Sequence, residues 1–591
     1  MTSEPAGPGE KTSAATPRLD TLAPTSLRRW IARLLVVRGS GHGADTQRRY
    51  PRWELSNAEL RQLLQQGVGG VILLGGSAAE LRLRTLQLQA WSDTPLLLCA
   101  DVEEGVGQRF DGASWLPPPL SLSRLHGQDP AAALELAERY GRCTGLEARA
   151  LGLNWVLAPV CDVNNNPDNP VINVRAWGED PQTAGALACA FLRGAQAEGV
   201  LCCAKHFPGH GDTASDSHLE LPLLGHSRQR LEQMELPPFR QAIAAGVASV
   251  MTAHLLLPSL DANRPATLSK AVLTGLLRQE LGFGGLVVTD ALVMEAIAAR
   301  YGAGEAAVLA LEAGADLVLM PADAEAAIEA ILAAVQHGRL SPERLLASLE
   351  RRRLALAGLP PPADREPAGS TLLGALHNGP QASEQALALE LVAQSLERQG
   401  PGPDGIWSQR AAAGVNLIRL DNALASPFLP ANAPALELPA AAGWQTCLID
   451  GRSPSPWQQD PDAPLALERL GSGPVLLQLF VRGNPFRGSA GGGQEPWEAV
   501  IRQLLRLDRL GALAVYGSPY LWRRLRALLP AGIAAAYSPG QMPLAQRQVL
   551  AALGFGNGDG PGMVQGEGPR RGADRSQPPE RGTVETEGFT D

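Results

Sequence analysis

Leu201-Cys202-Cys203-Ala204-Lys205-His206-Phe207-Pro208-Gly209-His210-Gly211-Asp212-Thr213-Ala214-Ser215-Asp216-Ser217-His218 is the stretch on which the reading of this chain turns. It opens as an uninterrupted apolar run and ends in a Lys-His pair. A strand buried on both faces reads this way when its last residues reach an open rim. Pro208, Gly209 and Gly211 preclude a regular helix, so a loop follows. His206 and His210 therefore do not share a helical face in spite of their i, i+4 spacing.

Working outward, the same apolar pattern recurs at Leu34–Val37, Gly70–Leu74, Leu96–Asp101, Trp155–Val160, Ser249–Leu255, Leu286–Asp290 and Ala315–Met320. Helical patterns lie between the runs: Asn57–Gln66, Pro130–Gly152, Gln182–Gly199, Arg230–Gly246, Ser269–Gly282, Met294–Gly314 and Ala322–Gly338. Several stop at a glycine just before the next strand, as a helix C-cap does. Eight strands alternating with helical connections predict an α/β fold, a (β/α)₈ TIM-type barrel over residues 27–357. A doubly wound sheet is the rival, but it normally needs fewer units. Asp101, Lys205, His206, His254 and Asp290 fall at or near the C-terminal ends of their strands, and Asp162 follows its own by two residues. That rim is where barrel enzymes carry their chemistry.

Residues 1–26 are polar and read as a disordered leader without the apolar stretch of a signal peptide. Residues 358–382 form a Pro- and Gly-containing linker. A smaller α/β segment spans 383–555, with strands at Val415–Arg419, Thr446–Asp450, Pro474–Val481, Ala512–Tyr516 and Ile533–Tyr537. Few polar residues stand at those strand ends, so a supporting role is expected. Residues 556–591, rich in Gly and acids, read as a disordered tail.

Fifty-one basic against 60 acidic residues give a net charge of −9, which argues against a nucleic-acid partner. No apolar run is long enough to span a membrane, so no membrane partner is expected and a cytoplasmic location is the default. The seven cysteines include no CxxC pair, and most lie in apolar runs where cysteine acts as a small hydrophobe. No cofactor is indicated. The His- and Asp-bearing loop leaves a metal site open as a minority reading. Against it, the first strand ends in Val37-Arg38-Gly39-Ser40, without the His-x-His of barrel metallohydrolases. The oligomeric state is not legible.

Three further segments carry chemistry. Asp216 and His218, two apart on an extended loop, can point the same way, so the carboxylate can orient and raise the basicity of the imidazole. Such a dyad moves protons. Asp290 ends an apolar strand, where a carboxylate is costly unless used or paired. The alternative, a cap for the helical pattern from Met294, is disfavoured because the strand closes several residues earlier. Acids, amides and arginines in Asp101–Phe110 and Asn173–Pro181 suit recognition of the hydroxyls of a small-molecule saccharide partner, although Arg and Glu on loops are usually just solvated.

Together these segments resemble glycoside hydrolase family 3, and within it the bacterial β-N-acetylglucosaminidase branch. The Lys205-His206-Phe207-Pro208-Gly209-His210-Gly211 and Asp216-Ser217-His218 motifs carry the resemblance. Gly69–Leu73, Ala158-Pro159-Val160-Cys161-Asp162-Val163-Asn164, and Arg175 with Gly178-Glu179-Asp180-Pro181 support it. Leu479-Phe480-Val481-Arg482-Gly483-Asn484-Pro485 resembles the smaller domain of two-domain members. The resemblance implies Asp290 as nucleophile, His218 as acid/base with Asp216 behind it, and sugar contacts at Asp101, Arg109, Arg175, Lys205 and His206. It implies a retaining exo-acting β-N-acetylglucosaminidase acting on muropeptide or chito-oligosaccharide fragments. A phosphorylase or β-glucosidase of the same family is the alternative. The chain departs from the family pattern at Glu104, Gly105 and Val106, where two glycines and an arginine are usual, and at Ala291, where an acid is common.

Overall fold

The structure is a computed structural model that describes residues 23–214, 221–360, 382–402, 413–421, 428–450, 456–482 and 495–556. The expected leader (up to residue 22), most of the linker and the tail from 557 lie outside the described residues. The first helix, Pro24–Ala32, begins three residues inside the stretch expected as leader, with Pro24 at the first helical turn where its missing N–H costs nothing.

Eight parallel strands form the barrel: β1 Leu35–Ser40, β2 Gly70–Leu74, β3 Leu97–Ala100, β4 Trp155–Val156, β5 Leu201–Phe207, β6 Ser249–Thr252, β7 Leu286–Val288 and β8 Val318–Leu319. β1 pairs with both β2 and β8, and a bridge between Val288 and Leu317 closes the ring at β7 and β8. Side chains alternate across each strand, which explains the continuous apolar runs. Val36, Ile72, Cys99, Trp155, Cys203, Met251, Val288 and Leu319 belong to one buried cluster inside the barrel. Val37, Val71, Leu98, Val156, Cys202 and Val250 belong to another, under the surrounding helices. The Trp155 indole donates to Ser249 Oγ at 2.9 Å, so even this large ring is satisfied inside the barrel.

The helical stretch expected from Met294 to Gly314 is broken. Gly302 takes φ +70 and separates Glu295–Tyr301 from Ala303–Ala313. The stretch from Ser269 forms a π-helix, Ala271–Glu280. Helices at Ala78–Trp91 and Pro342–Ala357 were not read from the pattern. Asp290 caps neither helix; the N-cap residue of Glu295–Tyr301 is Met294.

The second unit is a six-stranded sheet: β9 Glu397–Gln399, β10 Val415–Leu420, β11 Gln445–Asp450, β12 Val475–Val481, β13 Leu510–Gly517 and β14 Ala534–Ser538, in the order β11-β10-β12-β13-β14-β9. All pairs are parallel except β9 with β14. The helix Ala382–Ser395 joins the two units: Leu387, Ala388 and Leu391 enter the barrel core, while Val392 packs with Met542 and Ala545.

Candidate active site

The polar residues at the strand ends assemble at the C-terminal rim. β3 delivers Asp101 and, two residues on, Glu103. Both reach Lys205 at the end of β5: its Nζ lies 2.8 Å from Asp101 Oδ1 and 2.6 Å from Glu103 Oε1. Glu103 also takes a bidentate pair from Arg175, Nε and Nη2 each donating at 2.8 Å. Arg175 Nη1 donates to the Val171 carbonyl at 2.9 Å. Arg109 folds back to donate from Nε to the Asp101 carbonyl at 2.9 Å.

Burial makes this lattice strong. The side chains of Lys205 and Glu103 are 2 % and 3 % exposed, and Asp101 opens towards solvent at 36 %. Burial by itself would neutralise Glu103, but Arg175 and Lys205 outweigh it and hold the carboxyl well below the usual range. Burial likewise opposes the charge on Lys205, and Asp101 and Glu103 outweigh it, raising the ammonium's pKa. Asp101 ends below its ordinary value because Lys205 and then Arg109 overcome its desolvation. The floor is therefore permanently charged at neutral pH, with two cations and two carboxylates set beside one another.

A second lattice fixes His206. Asp162 is fully buried and accepts from His206 Nδ1 at 2.7 Å, from the His206 backbone N–H, and from the His210 N–H at 2.7 Å. This sets the imidazole's orientation and leaves Nε2 as the outward atom. Burial would raise the Asp162 carboxyl, but His206 and His210 hold it low. The His210 ring is buried against Thr213 Oγ1 at 2.9 Å, and desolvation pushes its pKa down to about 4. Asn169 Nδ2 donates to the carbonyls of His210 and Gly211, both at 2.8 Å, so the loop leaving β5 is pinned from the β4 side.

Asp290 stands two residues past β7, with Oδ1 accepting the Ala291 N–H at 2.7 Å and its own N–H meeting Thr252 Oγ1 at 3.3 Å. Buried His254 donates from Nε2 to the Ala291 carbonyl at 3.1 Å and bonds Thr267 through Nδ1 at 2.8 Å. β6 thus braces the turn that presents Asp290. Asp216 and His218 lie outside the described residues. The chain on either side of them is tied together: His226 Nε2 and Arg230 Nη2 lie 3.0 and 3.2 Å from Asp212 Oδ2. Asp212, His226 and Glu235 are close enough to hold a metal ion between them, but Arg230 already reaches both carboxylates.

The structure therefore brings Asp101, Arg109, Arg175, Lys205, His206 and Asp290 to one rim. Two residues that hold these side chains, Glu103 and Asp162, are given no site role by the sequence reading. Glu103 could have been found, since it is two residues after Asp101 on an extended segment and shares its side. Asp162 carried the same hint, as a carboxylate just past an apolar strand.

A family description, the glycosyl hydrolase family 3 N-terminal domain, matches residues 26–353. The chain belongs to glycosyl hydrolase family 3. By that membership it is a glycoside hydrolase. The bacterial C-terminal domain of the same family matches residues 407–554, the part that holds the second sheet. A β-hexosaminidase from Thiobacillus denitrificans is 38 % identical over 271 residues, 45 % of this chain and 75 % of the relative. Beta-hexosaminidase A of Pseudoalteromonas piscicida is 34 % identical over 325 residues, and the match spans 50 % of this chain and about half (54 %) of that longer relative. The solved structure of a family 3 β-N-acetylglucosaminidase from Paenibacillus sp. str. FPU-7 superposes with a TM-score of 0.69 at 30 % identity, covering 89 % of this chain and 96 % of that one.

Proposed function

We propose that the chain is a retaining, exo-acting β-N-acetylglucosaminidase that removes terminal β-linked N-acetylglucosamine from muropeptide or chito-oligosaccharide fragments. The observation that carries this reading is the shared rim: the Asp290 carboxylate stands with a buried, charged floor of Asp101, Lys205, Glu103 and Arg175. The names of the β-hexosaminidase relatives support the choice of sugar.

In this mechanism the Asp290 carboxylate attacks the anomeric carbon and the glycosidic C–O bond breaks. His218 gives its proton to the departing oxygen, and a glycosyl ester on Asp290 results. His218, now neutral, takes a proton from water as the water attacks the anomeric carbon. The ester bond breaks, Asp290 is freed, and the sugar leaves with retained configuration. Asp216 orients the imidazole. Asp101, Lys205, Arg175 and His206 hold sugar hydroxyls, and Arg109 supports Asp101; binding energy collected there serves ring distortion.

The test is turnover of aryl β-N-acetylglucosaminide against aryl β-glucoside, each with and without phosphate. Free N-acetylglucosamine formed at a rate independent of phosphate supports the proposal. A sugar 1-phosphate product would make the chain a phosphorylase, and preference for the glucoside would make it a β-glucosidase. Trapping with an activated 2-fluoro glycoside and peptide mapping is expected to place the adduct on Asp290.

A further inference from the structure

The second unit touches the rim at two loops, and both carry residues of the charged floor. Tyr520 Oη donates to the Asn164 carbonyl at 3.0 Å, and Arg523 pairs with Glu179 at 2.7 Å; both partners lie on the segment between β4 and Arg175 or just beyond it. The deeper contact is on the loop after β3. Arg482, one residue past the end of β12, forms an ion pair with Glu104, the side chains being 15 % and 1 % exposed. Trp115, on the same loop, packs its ring 5.3 Å from that of Phe428.

Glu104 has its polar groups taken up. The Trp115 indole donates to Oε2 at 3.1 Å, the Glu104 N–H donates to Gln108 Oε1 at 3.1 Å, and the Glu104 carbonyl accepts from the Leu116 N–H at 2.8 Å. Among the described residues Arg482 is the cation paired with it. The contacts of the two adjacent carboxylates diverge at this turn: Glu104 meets Arg482 of the second unit, while Glu103 faces the site and spans Lys205 and Arg175. The backbone between them has little slack. Tyr140 Oη sits 3.2 Å from the Glu103 carbonyl, and Gly105 takes φ +78 where a Cβ would meet the Ser114 carbonyl at 2.5 Å.

A buried carboxylate without its cation must take up a proton or leave for solvent. A Glu104 side chain that leaves for solvent moves the peptide that carries Glu103, and one that stays has lost the ion pair that pins that peptide. We infer that Arg482 is a positioning residue for the saccharide site: acting through Glu104, it holds the loop after β3 in the conformation in which Glu103 spans Lys205 and Arg175. The second unit therefore helps to set substrate affinity while the reacting groups stay on the barrel. This inference rests on the saccharide-binding reading above.

The experiment is steady-state kinetics of the full chain on aryl β-N-acetylglucosaminide for R482Q, R482K, E104Q and the double variant E104Q/R482Q, with R523Q as an exposed ion-pair control. Loss of ground-state positioning appears in KM and spares kcat. R482Q is expected to raise KM about tenfold or more with kcat within about threefold. R482K should recover part of the loss because it keeps the charge but not the fork. The double variant, which strands no charge, should lie closer to the parent than R482Q does, and R523Q should change KM less than about twofold. A folded R482Q with parental KM and only a lower Tm overturns the inference and makes the contact structural. If the parent turns over no β-N-acetylglucosaminide, the proposed activity fails on its own; unchanged affinity of R482Q for N-acetylglucosamine by calorimetry would then overturn the inference separately.

Discussion

Glu103→Gln tests the charged floor most directly. Glu103 is 3 % exposed and holds Lys205 at 2.6 Å and Arg175 at 2.8 Å. An amide of the same shape offers one acceptor, so its NH₂ must face a donor on Lys205 or Arg175. Two buried cations would then share Asp101, which is more open to solvent. Removing one partner of a buried pair typically costs ~3–5 kcal/mol, and that is the expected loss of unfolding free energy at pH 7. The pH dependence gives a second check. The folded-state pKa of Glu103 is depressed, so its contribution is present above the unfolded value near 4.5 and fades as pH falls through the folded value. Lys205 is raised, so its share is present below about 10.5 and fades only above it. Urea unfolding of parent and variant should therefore show a gap that is constant from about pH 6 to 9 and narrows in acid. KM should rise as well. A variant within about 0.5 kcal/mol of the parent across that range, with unchanged KM, would refute the argument that Glu103 compensates the two cations.

The remaining expectations concern chemistry and the barrel flank. Asp290→Ala should lower kcat by ~10³-fold or more in the aryl glycoside assay and abolish adduct formation. His218→Ala should cost ~10²–10⁴-fold on a poor leaving group and far less for glycosylation by a dinitrophenyl glycoside, with azide restoring turnover; equal losses on both substrates would move the acid/base to Asp212 or Glu220. Glu147 is buried against Ser114 and desolvation raises its pKa to about 7. An acid raised in the fold destabilises once it must ionise, so stability falls as pH rises from about 4.5 to 7. Glu147→Gln should leave Tm little changed at pH 5 and raise it at pH 8 relative to the parent, as read by differential scanning calorimetry.

What could be read from the sequence was local. The barrel strands announced themselves because a strand buried on both faces has no polar positions to blur its ends, and β2 falls where the apolar run does, at Gly70–Leu74. Lys205, His206, Asp101 and Asp290 stood out because a charge at the end of such a run is costly without a use. The failures at the sheet edge and around the site share one cause. Strand β9 is Glu-Arg-Gln, an antiparallel edge strand held by β14, and its own residues carry no apolar signal. Glu104 read only as a departure from the family pattern, and Arg482 only as part of a motif in a supporting segment. Their meaning is a pair 378 residues apart in sequence, which no local pattern encodes. The same holds for Asp162, whose neighbours show a carboxylate but not the three donors that converge on it from β5 and its loop. The residues proposed above to hold sugar at the ends of β3 and β5, Asp101, Lys205 and His206, are thus legible from their place on or just past a strand. The partners of residues that hold them in place come from distant parts of the chain, within the barrel for Glu103 and Asp162 and from the second unit for Glu104. A carboxylate buried in the loop after β3 is costly unless a cation meets it, and the second unit supplies that cation one residue past β12.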